Sequence, residues 1–145
     1  MSDQFTVLIR VRYAECDAQQ VVFNARYAEY VDVAMTEFYR HLFGGYQILF
    51  QRGLDNQIVR MLMEWKSSAR FDDVLALQIG LADSGTTSFT LKVEMKEKRS
   101  GRLVALCEAV YVMVTTQSYQ KTPIPEDIRE KLQKGLPGLC VDMSG

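Results

Sequence analysis

Hydrophobic and polar positions change period along the chain. Phe5, Val7, Ile9, Val11 and Tyr13 alternate with Thr6, Leu8, Arg10 and Arg12. A period of two with β-branched residues predicts a half-buried strand over residues 5–13, stopping near 14–17. From about residue 25 to residue 43 the period changes. Tyr27, Tyr30, Val31, Ala34, Phe38 and Leu42 fall on one stripe of a helix about five turns long. Asn24 stands where an N-cap belongs, because its side chain can accept from an orphan backbone N–H. Gly44 and Gly45 follow the stripe as a C-terminal stop. The aromatic stripe predicts that this helix lies in the concave face of a sheet. Residues 46–56 read as a connecting loop with some helical turn. Four strands follow, over 58–67, 74–81, 88–96 and 103–115. The short turns at Asp83-Ser84-Gly85 and Ser100-Gly101 make antiparallel hairpins. Pro125, Glu126 and Asp127 suit the first turn of a last helix, Lys131 and Lys134 its end, and Gly135 its stop.

The order is strand, long helix, four strands. It predicts one α+β domain over 1–145, with a tail from about 136, built as a five-stranded antiparallel sheet wrapped around one long helix. That is the hotdog arrangement. No repeat, low-complexity stretch or linker divides the chain.

Composition adds mainly exclusions. A chain of 145 residues can bury roughly 68–70% of its extended surface, so it folds without a disulfide or metal staple. Seventeen basic and 18 acidic side chains leave a formal net charge of −1, which argues against wholesale nucleic-acid binding. The single histidine, His41, excludes multi-His metal sites and leaves one imidazole for any Ser-His or Cys-His scheme. Cys16, Cys107 and Cys140 are an odd, scattered set, which fits a reducing cytoplasm. The N-terminus has no signal-peptide pattern, and no apolar run approaches the ~20 residues of a membrane span. Neither a G-x-S-x-G elbow, a Walker loop, H-E-x-x-H nor G-x-G-x-x-G occurs.

The chemistry concentrates in residues 12–32, RYAECDAQQVVFNARYAEYVD. Asp17 lies just past the predicted strand, and the helix begins a few residues later. Helix N-termini carry unpaired N–H groups that could hold a developing oxyanion. A nearby carboxylate could attack a carbonyl or activate water. Taken alone, an Asp before a helix is more often a cap or turn residue.

The stretch resembles the first signature of the 4-hydroxybenzoyl-CoA thioesterase family, which includes bacterial acyl-CoA thioesterases linked to the Tol–Pal system. That pattern is Y-x-E-x-D-x-x-G-V-V-Y-H-x-x-Y-x-x-x-x-E/D. It is met by Tyr13, Glu15, Asp17, Val21, Val22, Phe23, Tyr27 and Asp32. ARFDDVLAL at 69–77 resembles a second signature, and TPIPEDIREKL at 122–132 is similar to the family's C-terminal segment. The resemblance implies a hotdog acyl-thioester hydrolase without metal or redox cofactor, the coenzyme A thioester being substrate. It implies Asp17 as general base or nucleophile, with backbone donors near Asn24 and Ala25 polarising the carbonyl. It implies an acyl group between two subunits, near Phe23, Tyr27 and Asp32, in a dimer that commonly pairs again into a tetramer.

Two positions depart from the pattern. Gln20 replaces a frequent glycine, and Asn24 replaces a histidine. The turn that carries basic residues in some relatives reads ADSGTTSF here, offering Thr86, Thr87 and Ser88 as neutral donors. Phosphates would then meet Arg70, Lys96, Lys98, Arg99 or a partner chain, or the carrier is acyl carrier protein. Two rival functions stay open: a non-catalytic acyl-ligand or acyl-carrier-protein module, and a dehydratase or hydratase. The latter class leans on a histidine near the helix start, whereas His41 lies far along it.

Other residues have plainer readings. Cys16 reads as a small core thiol rather than a nucleophile. His41 suits a helix C-terminus. Trp65, Met61 and Met63 share a strand face as core or interface, or as a soft acyl pocket. Lys96 to Arg99 read as a solvated hairpin tip, and Asp72-Asp73 as a turn before a strand.

Overall fold

The computed structural model describes residues 4–145. Strand β1 (Phe5–Arg10) leads through a 3-10 turn (Tyr13–Glu15) and a loop to helix α1 (Arg26–Phe43). A short helix α2 (Tyr46–Gln51) precedes strands β2 (Leu54–Trp65), β3 (Val74–Ser84), β4 (Ser88–Glu97) and β5 (Leu103–Thr115). Helix α3 (Glu126–Lys134) and strand β6 (Cys140–Met143) complete the chain.

The sheet order is β2-β5-β4-β3-β1-β6, curled around α1 as a hotdog. Neighbours pair antiparallel except at one edge. There β6 runs parallel to β1, Thr6 opposite Cys140 and Ile9 opposite Met143. The expected five-stranded antiparallel sheet is therefore six-stranded and mixed. The sixth strand lies inside the tail. It forms because the outer edge of β1 carries backbone groups that need partners. Thr6 N–H donates to Leu139 O at 3.0 Å, and Arg10 Nε reaches Ser144 O at 2.8 Å.

The predicted helical stripe is the core. Tyr27, Tyr30, Val31, Ala34, Phe38 and Leu42 are all buried, with Met35, Tyr39 and Phe43 widening the apolar face. They meet the inward residues of the sheet, among them Val7, Leu75, Leu77, Ile79, Leu91, Val93 and Ala109. Phe5 and Phe38 pack at 5.6 Å between centroids, and Tyr39 stacks on Phe43 at 5.2 Å. Gly44 stops the helix as expected. Its φ is 94°, and a Cβ there would lie 2.8 Å from Ile48 Cγ1.

The start of α1 differs from expectation. Ala25, not Asn24, takes the N-cap position, in helical geometry and with no side-chain cap. Arg26 N–H closes a turn onto Phe23 O at 2.9 Å, so backbone replaces the expected side-chain cap. Strand β2 starts four residues before the predicted 58, because Leu54 already pairs with Thr115. Strand β1 ends before the predicted 13, where the 3-10 turn begins.

Strand β2 is an unpaired edge along its outer side. Ile58, Val59, Met61, Leu62 and Trp65 are all exposed on it. Among the described residues no helix is long and apolar enough to cross a membrane.

Candidate active site

The loop between β1 and α1 folds back on itself. Cys16 and Val22 face each other in an antiparallel bridge, Asp17 N–H donates to Val21 O (2.9 Å), and Gln20 N–H to Asp17 O (2.9 Å). This is a three-residue hairpin loop whose last residue must turn left-handed. That residue is Gln20, with φ 65°. The sequence departure from glycine thus falls where glycine would carry no steric cost.

Three ties hold the loop in place. Val21 bridges to Arg70 and Val22 N–H donates to Ala69 O at 2.9 Å, fixing it to the segment before β3. Phe23 N–H donates to Glu15 O at 3.0 Å. Buried Glu15 forms the third tie. Its carboxylate accepts from Arg12 N–H (2.8 Å), Arg12 Nε (2.9 Å) and the Tyr30 hydroxyl of α1 (2.7 Å). Burial alone would push the Glu15 carboxyl up, but these donors and the Arg12 charge hold it below its usual range. Tyr30 is pushed far up, by its own burial and by Glu15. Glu15 was legible only as a motif letter, and Tyr30 only as a stripe residue.

Asp17 is half-buried. Its Oδ1 accepts Gln19 N–H at 2.8 Å in an Asx turn, which sets the carboxylate's direction and leaves Oδ2 without a protein donor among the described residues. Asp17, Asn24 and Tyr27 line one cleft of about 290 Å³, closed on its far side by Trp65, Lys66, Ser67 and Ser68. The N–H groups of Asn24 and Ala25 have no backbone acceptor among the described residues. They lie at the N-terminal, positive end of an 18-residue helix. Tyr27 is buried, and its hydroxyl already accepts Ala69 N–H at 3.1 Å. Burial raises that hydroxyl's pKa.

The other expected residues lie elsewhere. Gln20 faces a second cleft of about 640 Å³ that Asp17 shares. Phe23 is exposed on the loop. Asp32 lines a third, about 600 Å³, between α1 and the β2 edge, with Ile58, Met61, Tyr46 and Tyr111. Thr86, Thr87 and Ser88 form the β3–β4 turn, the whole 11-residue length of β3 away, roughly 33 Å. One chain does not gather all of these around Asp17.

That turn does receive a cation, which the sequence did not reveal. Arg129 of α3 donates to Ser84 Oγ and Thr86 O, each at 3.2 Å. No local pattern tells which loop a helix arginine will reach. Lys66 was also missed. It stands in the Asp17 cleft, 3.7 Å from Glu64.

His41 is remote. It sits roughly 22 Å along α1 from Arg26, and its Nδ1 bonds Glu37 O at 2.9 Å. Burial and the nearby carboxylates of Glu15 and Asp17 push the Cys16 thiol up, away from thiolate character. Among the described residues no three His, Cys, Asp or Glu side chains converge as metal ligands would.

Comparison with known proteins fits this geometry. A family profile described as the Thioesterase-like superfamily matches residues 11–132. The acyl-CoA thioester hydrolase YbgC of Escherichia coli O6:H1 is 29% identical over 122 residues, 83% of this chain and 89% of that protein. A crystal structure of a hypothetical Aquifex aeolicus protein superposes with TM-score 0.82 at 26% identity, covering 89% of this chain and 99% of that one. The 1,4-dihydroxy-2-naphthoyl-CoA thioesterase Slr0204 of Synechocystis superposes with TM-score 0.81 at 18% identity, over 89% of this chain and 95% of its own, a likeness of fold.

Proposed function

The chain belongs to the thioesterase-like superfamily and is a thioester hydrolase; we propose that it cleaves acyl-CoA thioesters with the carboxylate of Asp17. One observation carries this reading. Asp17, whose Oδ2 takes no protein donor among the described residues, lines one cleft together with Asn24 just before α1. The amides of Asn24 and Ala25 polarise the thioester carbonyl and hold its developing oxyanion. Asp17 either takes a proton from an attacking water or attacks the carbonyl itself. Either way the C–S bond breaks, the sulfur leaves as thiol, and one water is consumed, its oxygen passing to the acid directly or into the Asp17 carboxylate as the anhydride opens. No metal or redox cofactor enters this scheme. A cytoplasmic location belongs to the same reading.

The hydrolase is proposed to work as a homodimer. A two-fold pairing along β2 runs the two copies antiparallel. It brings the Asp32 cleft and the Thr86–Thr87–Ser88 end of one copy toward the Asp17 end of the other. The exposed apolar edge of β2 supports this arrangement. Pairing of dimers into a tetramer is the larger form to look for in the same light-scattering run.

Asp17→Asn tests the assignment. Release of free thiol from acyl-CoA should fall by about 10²–10⁴-fold while fold and oligomer stay unchanged. Full activity would remove Asp17 from the chemistry. Single turnover in ¹⁸O-water tests the roles: a general-base Asp17 puts the label in the released acid at once, whereas an unlabelled acid with label in Asp17 shows an acyl–Asp17 anhydride opened at the Asp17 carbonyl.

A further inference from the structure

Two carboxylates are buried among the described residues, and they are used differently. Glu37 meets Arg40 within its own helix. Glu15 instead joins separate elements. Its Oε1 accepts Arg12 N–H at 2.8 Å and the Tyr30 hydroxyl of α1 at 2.7 Å, while its Oε2 accepts Arg12 Nε and Nη2, each at 2.9 Å. Burying a carboxylate is costly, and an apolar side chain fills such a space at less cost. What the carboxylate adds is direction, because both of its oxygens are held by donors from two elements.

The backbone of the same residue reaches the other arm of the loop. Glu15 O accepts Phe23 N–H at 3.0 Å, and Phe23 O accepts Arg26 N–H at 2.9 Å. Asn24 and Ala25 lie between these two bonds. On the first arm Asp17 follows two residues after Glu15, with the Cys16–Val22 bridge in between. Among the described residues the hydrogen bonds of Asp17 all fall within residues 17–21. The place of Asp17 relative to the helix start is therefore set by its neighbours, and Glu15 ties both arms to α1.

We propose that Glu15 is a positioning residue, which sets the Asp17 carboxylate against the Asn24 and Ala25 amides by pinning the loop to Tyr30. At 4% exposure it is closed off from substrate, so it acts only through the groups it holds. A displacement of about 1 Å at a reacting site can cost about 100-fold in rate. The inference rests on the hydrolase reading for its effect on rate, but not for its effect on the loop.

The test compares full-length wild type, Glu15→Gln, Tyr30→Phe and Val141→Ala. Val141 packs against the core from β6, opposite Val7, so its truncation lowers stability away from the loop. Glu15→Gln keeps the size of the side chain but sets an amide N–H₂ among the Arg12 donors. It should lower kcat about 10- to 100-fold and leave KM within about twofold, whereas Val141→Ala should leave both within about twofold. Tyr30→Phe should lower kcat about fivefold, the order of one hydrogen bond, and add little in the Glu15→Gln background. The acid limb of the kcat–pH profile should persist in Glu15→Gln, because Asp17 still titrates. Loss of that limb would make Glu15 the base itself and overturn the positioning role. So would activity losses that simply follow the denaturation midpoint across the variants. Tyr30→Phe carries the test alone if Glu15→Gln does not fold, and unchanged kcat there overturns the proposal.

Hydrogen exchange gives a readout that needs no turnover. In Glu15→Gln and Tyr30→Phe the amides of Asp17, Gln20 and Phe23 should exchange about tenfold faster relative to those of β4, and in Val141→Ala they should not. Equal exchange in all four proteins overturns the proposal. Faster loop exchange in a protein that turns over no thioester would uphold the anchor and sink the hydrolase reading.

Discussion

The two edges of the sheet are finished in different ways. At one edge β6 lies against β1, four residues long, with Asp142 within it and Arg10 reaching across to Ser144. At the other edge β2 runs 12 residues with exposed Ile58, Val59, Leu62 and Trp65 and, among the described residues, no neighbour on its outer side. Short and charged edges resist further pairing, whereas long apolar ones invite it. The same contrast divides the site. The loop around Asp17 is completed within one chain by Glu15, Tyr30 and Ala69. The Asp32 cleft opens on the β2 side. What the chain finishes alone is thus separated from what a second copy would finish.

The sharpest way to break this contrast is to charge the open edge. Ile58→Lys combined with Leu62→Lys sets like charges against each other in an antiparallel pair. The protein should elute as a folded monomer, and thiol release should fall by about 100-fold or more, as expected when positioning is lost. A fully active monomer would refute the division. Next comes the self-completed loop. Glu15→Gln removes charge-assisted bonds from a buried position and should cost about 2 kcal/mol in chemical denaturation. The sign with pH follows from the depressed carboxyl. Its contribution is fully present above its ordinary value near 4.5 and is lost as pH falls below that. The stability gap between wild type and Glu15→Gln should therefore narrow in acid.

Removing residues 136–145 tests the closed edge. Loss of a short ladder should lower stability by about 1–2 kcal/mol, or roughly 2–8 °C in melting temperature, while the oligomer and most activity persist. A loss of activity as deep as that from the β2 charges would erase the contrast between edges. The smallest effect is Gln20→Gly. Relief of a left-handed non-glycine residue should gain up to about 1 kcal/mol, seen as a rise of a few degrees.

Much of this division was legible in the chain and some was not. The stripe from Tyr27 to Leu42 and the alternation of the later strands follow from local periodicity, so α1 and β3 to β5 were placed closely. Strand β6 was not, because four residues with little alternation become a strand only when β1 offers an edge. The cap at Ala25 escaped notice because a backbone turn from Phe23 did the work expected of the Asn24 side chain. Asp17, Asn24 and Tyr27 were marked by a compact motif, and the fold brings these three together. Asp32 and Thr86 to Ser88 came from the same resemblance, yet a linear motif carries no label for which copy each residue serves. The partners of Arg129 and Glu15 depend on packing at long sequence separation, which periodicity does not encode.

The parallel pairing of Thr6 with Cys140 has a consequence in time. During synthesis β1 emerges ahead of every other strand, and β6 emerges after all of them. Contacts that join such distant parts of a chain form late. A nascent chain would therefore carry two bare sheet edges until β6 leaves the ribosome. Only then would one of them close and make copies choose the other.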